Sequence, residues 1–81
     1  MNEEALVILQ EECSEVIHRI CKCMRFGYES NRDRLEQELG DLLAMVEILH
    51  KLDMVSWTNI EQASVAKHEK LKQWSNLGSI L

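Results

Sequence analysis

The chain has 81 residues, 46% of them hydrophobic, with three Gly, no Pro and a formal net charge of −5. That length allows a single domain over residues 1–81 with a small core, because a chain this short buries only about 60% of its unfolded surface. The acidic balance argues against nucleic-acid binding, which needs a basic surface, and no apolar run nears the roughly 18–20 residues of a membrane span. Cys13, Cys21 and Cys23 are an odd number, and the first ten residues hold two Glu and no Arg or Lys, unlike a secretory leader. Free thiols in a reducing cytoplasm are expected. Cys21 and Cys23 are two apart and do not share a helix face, so they read as structural thiols and not as metal ligands.

The scarcity of Gly and Pro and the richness in Leu, Glu, Lys and Gln predict an all-α protein. A first helix is expected over about residues 2–24. Its apolar stripe is Leu6, Leu9, Cys13, Val16, Ile17, Ile20 and Met24. Asn2 suits its N-cap, and Glu3 and Glu4 suit the positive end of the helix dipole. Gly27 is expected as a left-handed residue after the helix. A short turn follows, and Ser30 or Asn31 can cap a second helix over about 31–52, with Leu35, Leu39, Leu42, Leu43, Val46 and Leu49 as its stripe. After a break at Lys51–Met54, a third helix is expected over about 57–74. It starts near Ser56 or Thr58, where Thr58-Asn59-Ile60-Glu61 fits a capping box. Its stripe is Ile60, Ala63, Ser64, Leu71 and Trp74, and Asn76-Leu77-Gly78 reads as a loose tail. Three such helices leave one apolar side open. The expected architecture is a three-helix protomer that completes a four-helix-bundle-like core by forming a homodimer or higher oligomer.

Polar residues interrupt these stripes in a pattern. At about 100° per residue, Glu38 falls inside the arc of Leu35, Leu42, Met45 and Leu49, and Asp41 falls on its flank. Glu12 and Glu15 flank the first stripe, and Lys67 sits within the third. Both acid pairs have i, i+3 spacing, which puts each pair on one helix face. Four such carboxylates brought together repel one another and call for a cation. All-oxygen ligands favour Mg²⁺ or Mn²⁺ over zinc. The bland alternative is a set of interhelix salt bridges, with Lys67 extending its head to solvent. Arg19 and Lys22 continue the Glu12/Glu15 flank, so they either hold phosphate or, for Arg19, pair with Glu15 one turn earlier. Arg25 lies further round. Glu15-Val16-Ile17-His18 and Glu47-Ile48-Leu49-His50 both fit the Glu-x-x-His half of a di-iron bundle, but His18 and Glu47 point away from the stripes. His18, His50 and His68 are read as surface residues.

Glu11-Glu12-x-x-Glu15, then 22 residues, then Glu38-x-x-Asp41 resembles the paired EExxE and ExxD signature of the all-α nucleoside triphosphate pyrophosphohydrolases, the MazG-like group. Leu9-Gln10-Glu11-Glu12-Cys13, Arg25-Phe26-Gly27, Glu38-Leu39-Gly40-Asp41-Leu42-Leu43 and Ala66-Lys67-His68-Glu69-Lys70-Leu71 extend the similarity over about residues 3–74. Arg-Phe-Gly and the brevity of the chain resemble small phage members, whose setting would be the host cytoplasm. The resemblance implies Mg²⁺ held by Glu12, Glu15, Glu38 and Asp41, with Glu11 turned away. It implies a phosphate contact from the lysine of the last helix, either Lys67 or Lys70, and leaves Lys22 and Arg25 as replacements for a basic residue some members carry further on. The implied reaction is hydrolysis of a (deoxy)nucleoside triphosphate to the monophosphate and pyrophosphate, in nucleotide-pool control. Trp57 and Trp74 read either as core residues or as a slot for the base. The competing classes are a non-enzymatic helical oligomer and a nucleotide-sensing module that binds without cleaving.

Overall fold

A computed structural model describes all 81 residues and contains only helices and their connections. The first helix, α1, spans Glu3–Phe26. Asn2 caps it as expected, its side-chain oxygen accepting from the Ala5 amide at 3.0 Å, and Glu3 and Glu4 occupy the first turn. Gly27 ends it with φ 110° and ψ 141°. That is a positive φ, but in the extended and not the left-handed helical region, a conformation that glycine adopts without the penalty of a Cβ. A 3-10 turn, Glu29–Asn31, leads directly into the second helix, α2, at Arg32–Lys51.

Asn31 holds the N-cap position of α2 but makes no capping hydrogen bond. Its amide group points back to α1 instead. It donates to the Gly27 carbonyl at 2.8 Å and to the Lys22 carbonyl at 3.4 Å. The expected cap is thus a tether between the end of one helix and the start of the next.

α2 stops without glycine. Asp53 adopts φ 58°, a region that Asp tolerates better than most side chains. The Met54 amide then donates to the Leu49 carbonyl at 2.9 Å, and the Asp53 amide to His50 at 3.0 Å. This is the Schellman pattern, and Met54 packs back on the core beside Leu49, as that motif favours. The third helix, α3, covers Trp57–Trp74. Of the two starts the sequence allows, Ser56 is the cap, accepting from the Asn59 amide at 3.2 Å. The segment after α3 is not a loose tail. It forms a 3-10 helix, Asn76–Ile80, that folds back on α3. A Cβ on Gly78 would stand 2.8 Å from the Lys72 carbonyl oxygen, so only glycine permits that approach.

α1 and α2 form an antiparallel hairpin, since Ala5 packs on Met45 and Leu49 while Arg19 meets Glu38. The buried apolar core is Ala5, Met45 and Leu49, flanked by Ile8, Leu9, Met54 and Val55 at the open end of the hairpin. The only other buried residues are Arg19 and Asn31, towards the turn. α3 contributes no buried residue and does not pack along either hairpin helix. The radius of gyration is 15.0 Å, against about 12 Å for a compact chain of this length. Much of the expected stripe is therefore uncovered in the protomer. Ile17, Ile20, Leu39 and Leu43 are exposed, and Met24 and Trp74 are 83% and 82% exposed. Periodicity identifies which face is apolar, but a lone hairpin with a detached third helix has nothing to lay against most of it.

Candidate functional site

Between the apolar end of the hairpin and its turn, α1 carries Glu12 and Glu15, and α2 carries Glu38 and Asp41. The antiparallel register sets the two i, i+3 pairs against each other. Glu12 is half-buried, and its Oε2 is enclosed without any hydrogen-bond partner. Its carboxyl is held above the ordinary value of 4.5, first by burial and then by the charges of Glu15, Asp41, Glu11 and Glu38. Loss of water and nearby like charge both disfavour the ionised form. The fold thus gathers all four predicted acids into one field around Glu12. Glu11, predicted to turn away, remains close enough to add to that field, though it is exposed.

No three Asp, Glu, His or Cys side chains converge tightly enough to hold an ion as they stand. The cluster is defined by its shared field and by an enclosed, unpartnered oxygen, not by a preformed ligand shell. Its donors are all carboxylate oxygens, the set that suits a hard divalent cation.

The basic residues are placed differently from one another. Arg19 is 8% exposed and not on a solvent-facing strip. Its Nε lies 3.4 Å from Glu38 Oε2, and its Nη1 donates to Asn31 Oδ1 at 2.9 Å. It pairs across the hairpin with Glu38 and not along α1 with Glu15. The cause is phase: seven residues after Glu12, Arg19 returns to the same side of α1, which is the side that α2 covers. Lys22 is half-buried one turn beyond. Arg25 is exposed, with its guanidinium 5.2 Å from the centre of the Phe26 ring. Lys67 and Lys70 are exposed on α3, which stands off the hairpin, so the protomer does not bring either of them to the acids.

The remaining candidates are peripheral. His18, His50 and His68 are exposed, and His50 tilts against Trp57 with ring centres 5.9 Å apart. No cavity is lined by both tryptophans; Trp57 borders one with Glu47, His50 and Lys51. All three cysteines are free thiols. Asn31 is the residue that sequence reasoning placed in the wrong role. Its only signal was position, at the point where the hairpin turn meets a buried arginine.

Neither the curated proteins nor the solved structures contain a match to this chain. The family model described as the MazG nucleotide pyrophosphohydrolase domain matches residues 1–75. With this match covering nearly its whole length, the chain belongs to the MazG nucleotide pyrophosphohydrolase domain family.

Proposed function

We propose that the protein hydrolyses a (deoxy)nucleoside triphosphate to the monophosphate and pyrophosphate, using Mg²⁺ or Mn²⁺ held by Glu12, Glu15, Glu38 and Asp41. The observation that carries this reading is Glu12 Oε2, enclosed, without a partner and surrounded by acids. A carboxylate in that setting costs free energy unless a cation joins it. The salt-bridge alternative accounts for one acid only: Glu38 meets Arg19, while Glu12, Glu15 and Asp41 meet no basic group.

When bound, the ion supplies charge neutralisation on phosphate oxygens and lowers the pKa of water in its shell. The chain's own residues do the rest. The acids of the two helices fix where the α-phosphorus sits, so that water attacks in line with the departing pyrophosphate. In this reading Lys22 and Arg25, at the turn-proximal end of α1, meet the charge that builds on the leaving group. Arg19 is engaged within the hairpin and is not available for that contact without breaking its pairs. Lys67 and Lys70 join the site when α3 is laid against an acid face. Homo-oligomer formation is the route that also covers the exposed Ile17, Ile20, Met24, Leu39 and Leu43.

The test is Glu38→Gln, which keeps the shape of the side chain and removes its charge. Across a panel of nucleoside triphosphates, wild type releases pyrophosphate with Mg²⁺ or Mn²⁺, and the variant does not, while its helical circular dichroism persists. Equal turnover by the two proteins would overturn the assignment of the site. A wild type that cleaves none of the panel would overturn the enzymatic reading.

A further inference from the structure

Two of the five buried residues of this protein are polar, and they touch each other. Asn31 Nδ2 donates to the carbonyls of Gly27 and Lys22 at the end of α1, while its Oδ1 accepts from Arg19 Nη1 at 2.9 Å. Arg19 Nε in turn faces Glu38 Oε2 at 3.4 Å. The chain of contacts runs from the hairpin turn to the acid cluster. It starts at the one glycine with positive φ, Gly27, and ends at an acid whose field reaches Glu12. A buried guanidinium with a planar, fixed set of donors sets the direction of what it binds far better than a flexible ammonium does. Burial of both polar side chains is tolerable because they satisfy each other.

We infer that Arg19 and Asn31 are positioning residues: Asn31, anchored on the turn, fixes the Arg19 guanidinium, and Arg19 holds Glu38 by Oε2 so that Oε1 faces the acid cluster. This rests on the proposal that Glu38 is a divalent-cation ligand, and it departs from a phosphate-binding role for Arg19. Residues that hold a ligating carboxylate in place commonly change metal affinity by about 10–100-fold when removed. Two variants separate geometry from charge. Arg19→Lys keeps the positive charge but cannot hold Glu38 and Asn31 together. Asn31→Ala leaves Arg19 and Glu38 intact and removes the anchor.

The probe is Mn²⁺ alone, with free ion counted by its paramagnetic resonance signal in the absence of nucleotide, well below the melting temperature of every variant. Arg19→Lys and Asn31→Ala are expected to weaken Mn²⁺ binding about 10-fold or more, with little change in the nucleotide KM once the ion is saturating. Leu49→Ala, which loosens the apolar end of the hairpin, is expected to melt earlier and bind Mn²⁺ as wild type does. That contrast excludes general destabilisation as the cause. If Arg19→Lys leaves Mn²⁺ affinity unchanged and raises the nucleotide KM, Arg19 binds phosphate and the inference is wrong. Unchanged affinity in both variants, beside a loss in Glu38→Gln, also overturns it while sparing the metal site. Unchanged affinity in Glu38→Gln itself overturns the metal site on which both stand.

Discussion

Replacing Glu12 with Gln is expected to move stability in opposite directions with and without metal. In metal-free buffer near neutral pH the variant should melt higher than wild type. The substitution removes a charge that is enclosed on one oxygen and repelled by Glu15, Asp41, Glu11 and Glu38. The pH dependence has the matching sign. The folded chain holds the Glu12 proton more tightly than the unfolded chain, so metal-free wild type loses stability as pH rises from 4.5 through the raised folded value. Gln at this position flattens that slope. With metal the order reverses. An ion that binds only the folded chain adds about 2.7 kcal/mol at 100 times its Kd. For a domain of this size, about 4–8 °C of Tm per kcal/mol makes that a rise of roughly 10–20 °C. Losing a direct oxygen ligand should weaken binding about 100-fold or more, since outer partners alone cost about 10–100-fold. At the same ion concentration the variant then gains only about 0.4 kcal/mol, or roughly 2–3 °C. Far-ultraviolet circular dichroism melts with chelator and with Mn²⁺ measure all four states. Equal gains from Mn²⁺ in both proteins, or a variant that melts no higher than wild type in chelator, would refute the reasoning.

Leu49→Ala should cost about 2–5 kcal/mol, a core truncation, because Leu49 is one of three buried apolar residues; chemical denaturation measures the loss. Gly27→Ala should cost about 1–3 kcal/mol from its positive φ, not from a clash, since the nearest side-chain atom to a new Cβ is 3.8 Å away; a smaller loss in the same denaturation assay would show that the turn can readjust. Sedimentation equilibrium should find dimers or larger species at micromolar concentration, and a persistent monomer would remove the proposed cover for the exposed apolar faces.

What could be read from the sequence was local. Asn2 and Ser56 cap the helices they precede because a cap needs only a side-chain oxygen and an amide two or three residues on. The spacing of the acids was legible for the same reason, since i, i+3 is a property of one helix; that Glu15, Asp41 and Glu38 all add to the field on Glu12 depends on the hairpin. The break at Lys51–Met54 was legible, but the device that ends α2 was not, because the positive φ falls on Asp53 with no glycine to signal it. Arg19 was read as a phosphate contact or a partner of Glu15, and Asn31 as a cap, because a helical wheel shows the faces of one helix without saying which face its partner covers. Nor could any wheel place Lys67. It lies within the third stripe, yet α3 does not pack along either hairpin helix beyond the contact of Trp57 with His50, and no intrahelical pattern encodes that.

The order of groups along the hairpin explains how a repulsive cluster survives in so small a protein. Ala5, Met45 and Leu49 pin one end, Asn31 and Arg19 pin the other, and the acids lie between them. Repulsion among the acids acts to push the helices apart between these ends, but both flanks hold the register. Each clamp is thin: three fully buried apolar residues at one end, two buried polar ones at the other. Stability in a chain of this size amounts to only about 4–12 kcal/mol at best, so opening the middle of the hairpin is never far in free energy. A cation between the acids acts against that opening directly, and a second copy laid over Ile17, Ile20 and Met24 acts against it by burial. The site and the fold are therefore stabilised by the same events. An apo protomer should be the least rigid form of this protein, and its acids should become ordered in the same step that closes the hairpin around them.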